Sequence, residues 1–505
     1  MAPSGSSKGA GGSGDRSRDS RRISTASAVP PEERRERARD LAGRLPEGFV
    51  LGVSTSAFQI EGGTHEGGRG ESVWDAFSAQ PGRILDGSTA DRATDHLHRM
   101  PEDVGLMREL GIDSYRFSFS WPRLQPEGKG SLRTAGVDFY ERLLDQLEQA
   151  GIGSMATIFH WDTPTELAGG WFNRDTALRF GDLAFQLGER FGPRIDRWVT
   201  INEPATVTLE GYALGVHAPG STRLFNALPT AHHQLLGHGL AVQALRAADV
   251  TGEIGIVNVH SPVLPATDAE PDVVFAELFD VLHNRVFADP VLLGHYPTPP
   301  EGFEALFTAL AEVDPADLAL IAAPLDFYGL NFYMPTRIAA GSGPSETPDG
   351  GSTAMSSLPF HLAPWPEFPT TGFGWPIAPE FLAVALDELA TRYGTLLPPV
   401  HLTENGASFP DAVELDPENG TPRVHDGSRI DYLAGHLDAA LNAVTGGGAA
   451  SGIDLRGYYV WSLLDNFEWA AGYTQRFGLV HVDFDDFTRT PKDSYHWLRF
   501  LTLSR

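Results

Sequence analysis

Two acidic stretches have the residue types and setting for chemistry. Val400-His401-Leu402-Thr403 runs into Glu404-Asn405-Gly406, and Trp198-Val199-Thr200-Ile201 runs into Asn202-Glu203-Pro204. In each, an apolar or β-branched run ends at a glutamate and is stopped by a turn signal or a proline, which puts the carboxylate at the rim of a sheet. Two rim carboxylates can work on one bond, one as an acid and the other as a nucleophile or base. That pair is what cleavage of a glycosidic bond requires. The same reaction needs amides and acids for sugar hydroxyls and aromatic rings for the apolar sugar faces. The segment from Trp461 through Asp465, Asn466 and Glu468 to Trp469 adds further acids between two tryptophans. The two glutamates are distant in sequence, so they meet in one pocket only if the sheet closes on itself.

The elements that must position them alternate in type from Phe49 onward. Strand-like runs occur at Phe49–Val53, Ser114–Phe119, Met155–Phe159, Trp198–Asn202, Glu253–Val259, Asp326–Leu330, Val400–Glu404 and Gly457–Val460. Helical stripes fall between them. Val137, Tyr140, Leu144 and Leu147 share one face, and Phe381–Tyr393 and Ile430–Val444 show looser versions. Eight strands alternating with helices or long loops predict an α/β fold, a single (β/α)8 TIM barrel with long rim loops. The residues at the strand ends are Gln59, Arg116, His160, Trp161, Asn258, Asn331, Tyr333 and Trp461, a polar and aromatic set suited to a catalytic rim. The Gly/Pro/Ser/Thr-rich stretch between Tyr333 and Phe381 predicts a rim loop, with Trp365 and Trp375 as cleft walls.

Composition narrows the partners. The chain has 505 residues and a net charge of −28, which argues against nucleic acid or an anionic membrane surface. No apolar run approaches the length of a membrane span. Cysteine is absent, which removes disulfide and thiolate chemistry and suits the cytoplasm. Residues 1–45 differ from the rest: ten Lys/Arg stand against six Asp/Glu among Gly and Ser. They are expected to form a disordered basic tail, with a short charged helix at most over Glu32–Asp40, ahead of a domain spanning 46–505. Arg21-Arg22 lacks the following apolar segment of an export signal. Asp95, His96 and His98 read as hydrogen-bonded packing and not as a metal cluster.

Several motifs together resemble the family 1 glycoside hydrolases, the β-glucosidases and their relatives, from about residue 46 to 502. They are Gln59-Ile60-Glu61-Gly62, Tyr115-Arg116-Phe117-Ser118, His160-Trp161-Asp162, Thr200-Ile201-Asn202-Glu203-Pro204, Asn331-Phe332-Tyr333, Thr403-Glu404-Asn405-Gly406 and the Trp461–Trp469 segment. The resemblance implies a retaining β-glucosidase acting on a small-molecule β-glucoside without metal or cofactor, with galactosides and fucosides as further donors. It implies Glu203 as acid/base and Glu404 as nucleophile. Asn202 would bind the sugar 2-hydroxyl, and Gln59, His160, Glu468 and Trp469 the other hydroxyls. Trp161 would join the sugar site, Trp461 would form its floor, and Trp375 would lie on the leaving-group side. Arg116, Tyr333 and Asn331 would orient the nucleophile. Unphosphorylated sugars are favoured, because Glu468 would repel a sugar phosphate. A transglycosylase would use the same residues, and a non-catalytic binding barrel would lack one of the two glutamates. Oligomeric state is not implied.

Overall fold

Strands buried on both faces read as continuous apolar runs, and eight of them form the centre of the molecule. The computed structural model describes residues 31–343, 357–418 and 420–505. Strands β1 (Val50–Ser54), β2 (Ser114–Ser118), β3 (Gly153–Phe159), β4 (Arg197–Asn202), β5 (Glu253–Val259), β6 (Phe327–Asn331), β7 (Val400–Asn405) and β8 (Leu455–Trp461) are parallel neighbours in sequence order. The barrel closes where Val50 of β1 pairs with Gly457 of β8 and Ser54 with Trp461. The predicted (β/α)8 architecture is the observed one.

The N-terminal part of the barrel is packed solid by Met155, Val199, Val257, Phe327 and Tyr459. Tyr459 fits there because position 52 is glycine: a Cβ at Gly52 would lie 2.4 Å from the Tyr459 ring. Filling this end leaves the C-terminal rim as the open face, where TIM barrels place their chemistry. Outer helices follow the predicted stripes. Thr134–Ala150 buries Val137, Tyr140, Leu144 and Leu147 and ends at Gly151 in a left-handed cap. Among the described residues, no helix is long and apolar enough to cross a membrane.

Two expectations change. Residues 31–45 do not belong to a disordered tail: Pro31–Arg44 is a helix packed against helices Gly427–Thr445 and Asp493–Thr502. Its charged sequence conceals an apolar stripe of Ala38, Leu41 and Ala42, all buried. Its arginines also find acids on Gly427–Thr445, with Arg34 Nε 3.0 Å from Asp431 and Arg44 Nη1 2.5 Å from Asp438. The barrel domain therefore includes this helix, while residues 1–30, with Arg21-Arg22, lie outside the described residues. The second change concerns the rim segment after Tyr333, part of which also lies outside them. Thr336–Ala340 and Phe360–Leu362 join Val263–Pro265 in a small three-stranded sheet. Trp365 packs on Phe368 and Phe381, with the Arg337 guanidinium 3.7 Å above its ring. It braces the loop and does not wall the cleft.

Candidate active site

Glu203 directly follows the last residue of β4, and Pro204 opens a helical turn behind it, a position where proline's missing N–H costs nothing. Glu404 lies within β7, one residue earlier on its strand than expected, because Asn405 is still paired. Gly406 is there for room more than for a turn: a Cβ would sit 1.7 Å from the carbonyl oxygen of Trp461. Glycine at this position lets the ends of β7 and β8 approach closely. Both glutamates are almost fully buried, yet both line one rim cavity with about 240 Å³ open to water-sized molecules.

His160, Trp161, Tyr333, Trp375, Trp461, Glu468 and Trp469, all expected at the site, line the same cavity. Gln59 and Asn202 are fully buried behind this lining. Gln59 accepts from Ser56 Oγ at 2.6 Å and donates to Asn466 at 3.0 Å and to Glu468 at 3.4 Å. Asn202 is held with its amide nitrogen on His160 Nε2 at 3.1 Å and its oxygen on Arg116 Nη2 at 2.6 Å. Trp161 donates its indole N–H to the Asn202 carbonyl at 2.9 Å and packs 4.4 Å from Trp469, centroid to centroid. Glu203, Trp161 and Trp469 all adopt positive φ, a costly backbone state for such residues that recurs at functional sites.

Both oxygens of Glu404 accept hydrogen bonds, one from Arg116 Nη1 and the other from the Tyr333 hydroxyl at 2.6 Å. The guanidinium makes the first of these bonds charge-assisted. Burial, followed by the charges of Glu404 and Glu203, raises the Tyr333 hydroxyl well above its ordinary pKa, so it remains a donor. Glu203 is the opposite case. Burial first, and the charge of Glu404 second, push its carboxyl up to about 8. Burial and the nearby Arg116 hold His160 well below the ordinary histidine value, in its neutral form.

Asn331 requires a correction. It was expected to orient Glu404, but its amide nitrogen donates to Glu203 at 2.6 Å and to Asn202 at 3.2 Å. The Thr403 hydroxyl, 2.7 Å from the Asn331 oxygen, turns the amide in that direction. Sequence reasoning also missed Thr206, whose hydroxyl donates to the other oxygen of Glu203 at 2.8 Å. The signal was present: after an X-Pro helix start, the residue three beyond Glu203 faces back to it. A further omission is a buried ion network beneath the rim. Lys492 reaches Asp411, in the loop after Glu404, at 2.5 Å and Asp465, in the segment before Glu468, at 2.7 Å. Arg429 and Arg476 complete it at 2.7 and 2.8 Å. Of the histidines set aside, His96 is buried against Asp103 at 2.7 Å, and the exposed His98 bonds Asp95 at 2.6 Å.

Comparison with known proteins agrees with this geometry. The family model for glycosyl hydrolase family 1 matches residues 41–504. A β-glucosidase of Agrobacterium sp. is 41% identical over 460 residues, covering 90% of this chain and 95% of the relative. β-Glucosidase A of Acetivibrio thermocellus is 42% identical over 463 residues, covering 90% and 97%. The crystal structure of a psychrophilic β-glucosidase from Micrococcus antarcticus superposes with a TM-score of 0.84 at 41% identity, covering 93% of this chain and 99% of that one. A barrel with two buried glutamates in one aromatic-lined rim cavity, matched along nearly its whole length, belongs to glycosyl hydrolase family 1.

Proposed function

We propose that the chain is a retaining β-glucosidase in which Glu404 is the nucleophile and Glu203 the acid/base. The observation that carries this is the split between the two carboxyls in one cavity. Glu404 is paired with the Arg116 cation and takes a second hydrogen bond from Tyr333, whereas Glu203, bonded only by the neutral Asn331 and Thr206, is pushed up to about 8 beside it. At neutral pH the first attacks and the second still holds a proton, the pairing that acid/base chemistry needs.

In the first step a Glu404 oxygen bonds to the anomeric carbon as the bond to the glycosidic oxygen breaks. Glu203 gives its proton to that oxygen, and the aglycone leaves as an alcohol or phenol. Glu404 is now an ester and carries no charge, so part of what raised the Glu203 pKa is gone. Glu203, now a carboxylate, takes a proton from water, and the water oxygen displaces Glu404 from the anomeric carbon. Two inversions return the β-configuration. We assign Asn202 to the 2-hydroxyl, and His160, Gln59, Glu468 and Trp469 to the others. Trp161 and Trp461 enclose the ring, and Trp375 lies on the leaving-group side. Arg116 and Tyr333 hold Glu404, and Asn331 holds Glu203. Galactosides and fucosides are admitted as further donors. By the same reading the enzyme acts in carbohydrate metabolism in the cytoplasm, and cellobiose from cellulose breakdown is among the substrates admitted.

Proton NMR during hydrolysis of an aryl β-glucoside tests the proposal. β-Glucose should appear first and mutarotate afterwards. First appearance of α-glucose would contradict the double displacement.

A further inference from the structure

We propose that Lys492 is a positioning residue for donor recognition. Its buried ammonium ties the loop that follows Glu404 to the segment that carries Glu468, and so sets how strictly the site reads the sugar hydroxyl that Glu468 receives. The inference rests on the assignment of Glu404 and Glu468 above.

Lys492 directly precedes the helix Asp493–Thr502 and is fully buried. Its Nζ donates to Asp411 at 2.5 Å and to Asp465 at 2.7 Å. These aspartates belong to different rim segments. Asp411 stands seven residues after Glu404, and Asp465 three residues before Glu468. Around this bridge, Asp411, Asp426 and Asp465 meet Lys492, Arg429 and Arg476, three acids against three cations.

The same cluster grips the backbone of both segments. Arg429 donates to the carbonyl oxygens of Arg476 at 2.7 Å and of Ala407 at 3.3 Å, and Ala407 is three residues beyond Glu404. Asp465 accepts from the Gly478 N–H at 2.9 Å, and its own N–H donates to the Val480 carbonyl at 3.0 Å. A Cβ at Gly478 would lie 2.1 Å from the Asp465 nitrogen, so glycine is what admits this approach. Beyond Asp465, the Asn466 oxygen accepts from Gln59 at 3.0 Å and the Phe467 N–H donates to the Gln59 carbonyl at 3.2 Å. Asp465 thus fixes the start of a stretch that next meets Gln59 and then reaches Glu468.

Stability alone does not account for such a cluster. Replacing a whole buried ion cluster by well-packed apolar side chains is often neutral or stabilising. What apolar side chains cannot supply is direction. An ammonium donates only through its three N–H bonds, and two of them here select one separation between Asp411 and Asp465. Hydrogen bonds weaken steeply once their angle and distance drift, so a small shift of the Glu468 segment costs the sugar contact first. Removing Lys492 alone also strips two buried carboxylates of a partner and weakens the fold. The test therefore reads a quantity that does not depend on how much protein is folded.

The full chain is assayed on dinitrophenyl β-glycosides of glucose, 4-deoxyglucose and 6-deoxyglucose, whose leaving group keeps poor donors measurable. The ratio of kcat/KM for the glucoside to that for each deoxy sugar, taken on one preparation, is independent of the folded fraction. Glu468→Gln identifies the hydroxyl that Glu468 receives, as the one whose ratio falls. In the wild type that ratio should be roughly 10- to 100-fold, the size of a hydrogen bond to a charged group. Lys492→Met should narrow it by about three- to tenfold, a partial loss of that contact. Asp411→Asn, which keeps the side chain's shape and lies on the other segment, should narrow it in the same direction. Neither substitution should narrow it further once Glu468→Gln is present. Ratios unchanged in both variants, or in Glu468→Gln itself, with the glucoside still hydrolysed, would overturn the inference and leave the glucosidase assignment standing. No turnover of the glucoside by the wild type would overturn both.

Discussion

Thr206→Val is the sharpest probe of how the acid is tuned. Five influences act on Glu203: burial and the charges of Glu404 and Glu210 raise its pKa, and the hydrogen bonds from Asn331 and Thr206 lower it, leaving it at about 8. Valine keeps the shape of threonine and removes the hydroxyl that donates at 2.8 Å. A hydrogen bond to a charged group contributes about 1.5–3 kcal/mol, against about 0.5–1.5 kcal/mol for a neutral pair. The ionised form of Glu203 therefore loses roughly 1–1.5 kcal/mol more than the protonated form. At about 1.4 kcal/mol per pKa unit, the pKa rises by roughly 0.7–1.1 units. Glycosylation needs the protonated acid, so activity is present below this pKa and falls about tenfold per pH unit above it. The alkaline limb of kcat/KM should thus move from about 8 toward about 9. The assay is kcat/KM against pH for phenyl β-glucoside, a leaving group poor enough to require protonation. A limb that stays in place, or moves down, would refute the claim that the Thr206 hydroxyl favours the Glu203 anion.

Further expectations concern the acid itself and the scaffold beneath it. Glu203→Ala should lower kcat/KM on phenyl β-glucoside by about 10²–10⁴-fold, with a far smaller loss on the dinitrophenyl glucoside, whose leaving group needs no proton. Added azide should then yield β-glucosyl azide, since a small anion can enter without a general base; equal losses on both substrates would argue against an acid role. Lys492→Met leaves the buried carboxylates of Asp411 and Asp465 short of a cation. It should cost about 3–5 kcal/mol, read as a lower urea midpoint, and an unchanged midpoint would show that Arg429 and Arg476 suffice.

The sequence made much of this legible for identifiable reasons. All eight barrel strands were apparent because both faces are covered, so apolar runs such as Glu253–Val259 stand out without alternation. His160, Trp161, Tyr333 and Trp461 were legible because a polar or aromatic residue near a strand's end has no place in the packed floor, whereas Asn258, read with them, bonds Phe287 and Tyr328 and does not line the cavity. What stayed hidden depends on side chains meeting across the barrel. The side to which the Asn331 amide turns is set by Thr403 on the neighbouring strand, which no local pattern reveals. The first helix was masked by its arginines, whose partners Asp431 and Asp438 lie nearly four hundred residues away. Lys492 reads as an ordinary surface lysine until both of its aspartates are in place.

The central claim is that Glu404 forms a covalent bond to the sugar during turnover. 2-Deoxy-2-fluoro-β-glucosyl fluoride, whose fluorine at C2 slows both steps while the good leaving group preserves the first, provides the direct measurement. Intact mass should rise by one fluoroglucosyl unit, and peptide mapping should place it on Glu404. Attachment to any other residue, or loss of activity with no gain in mass, would contradict the account.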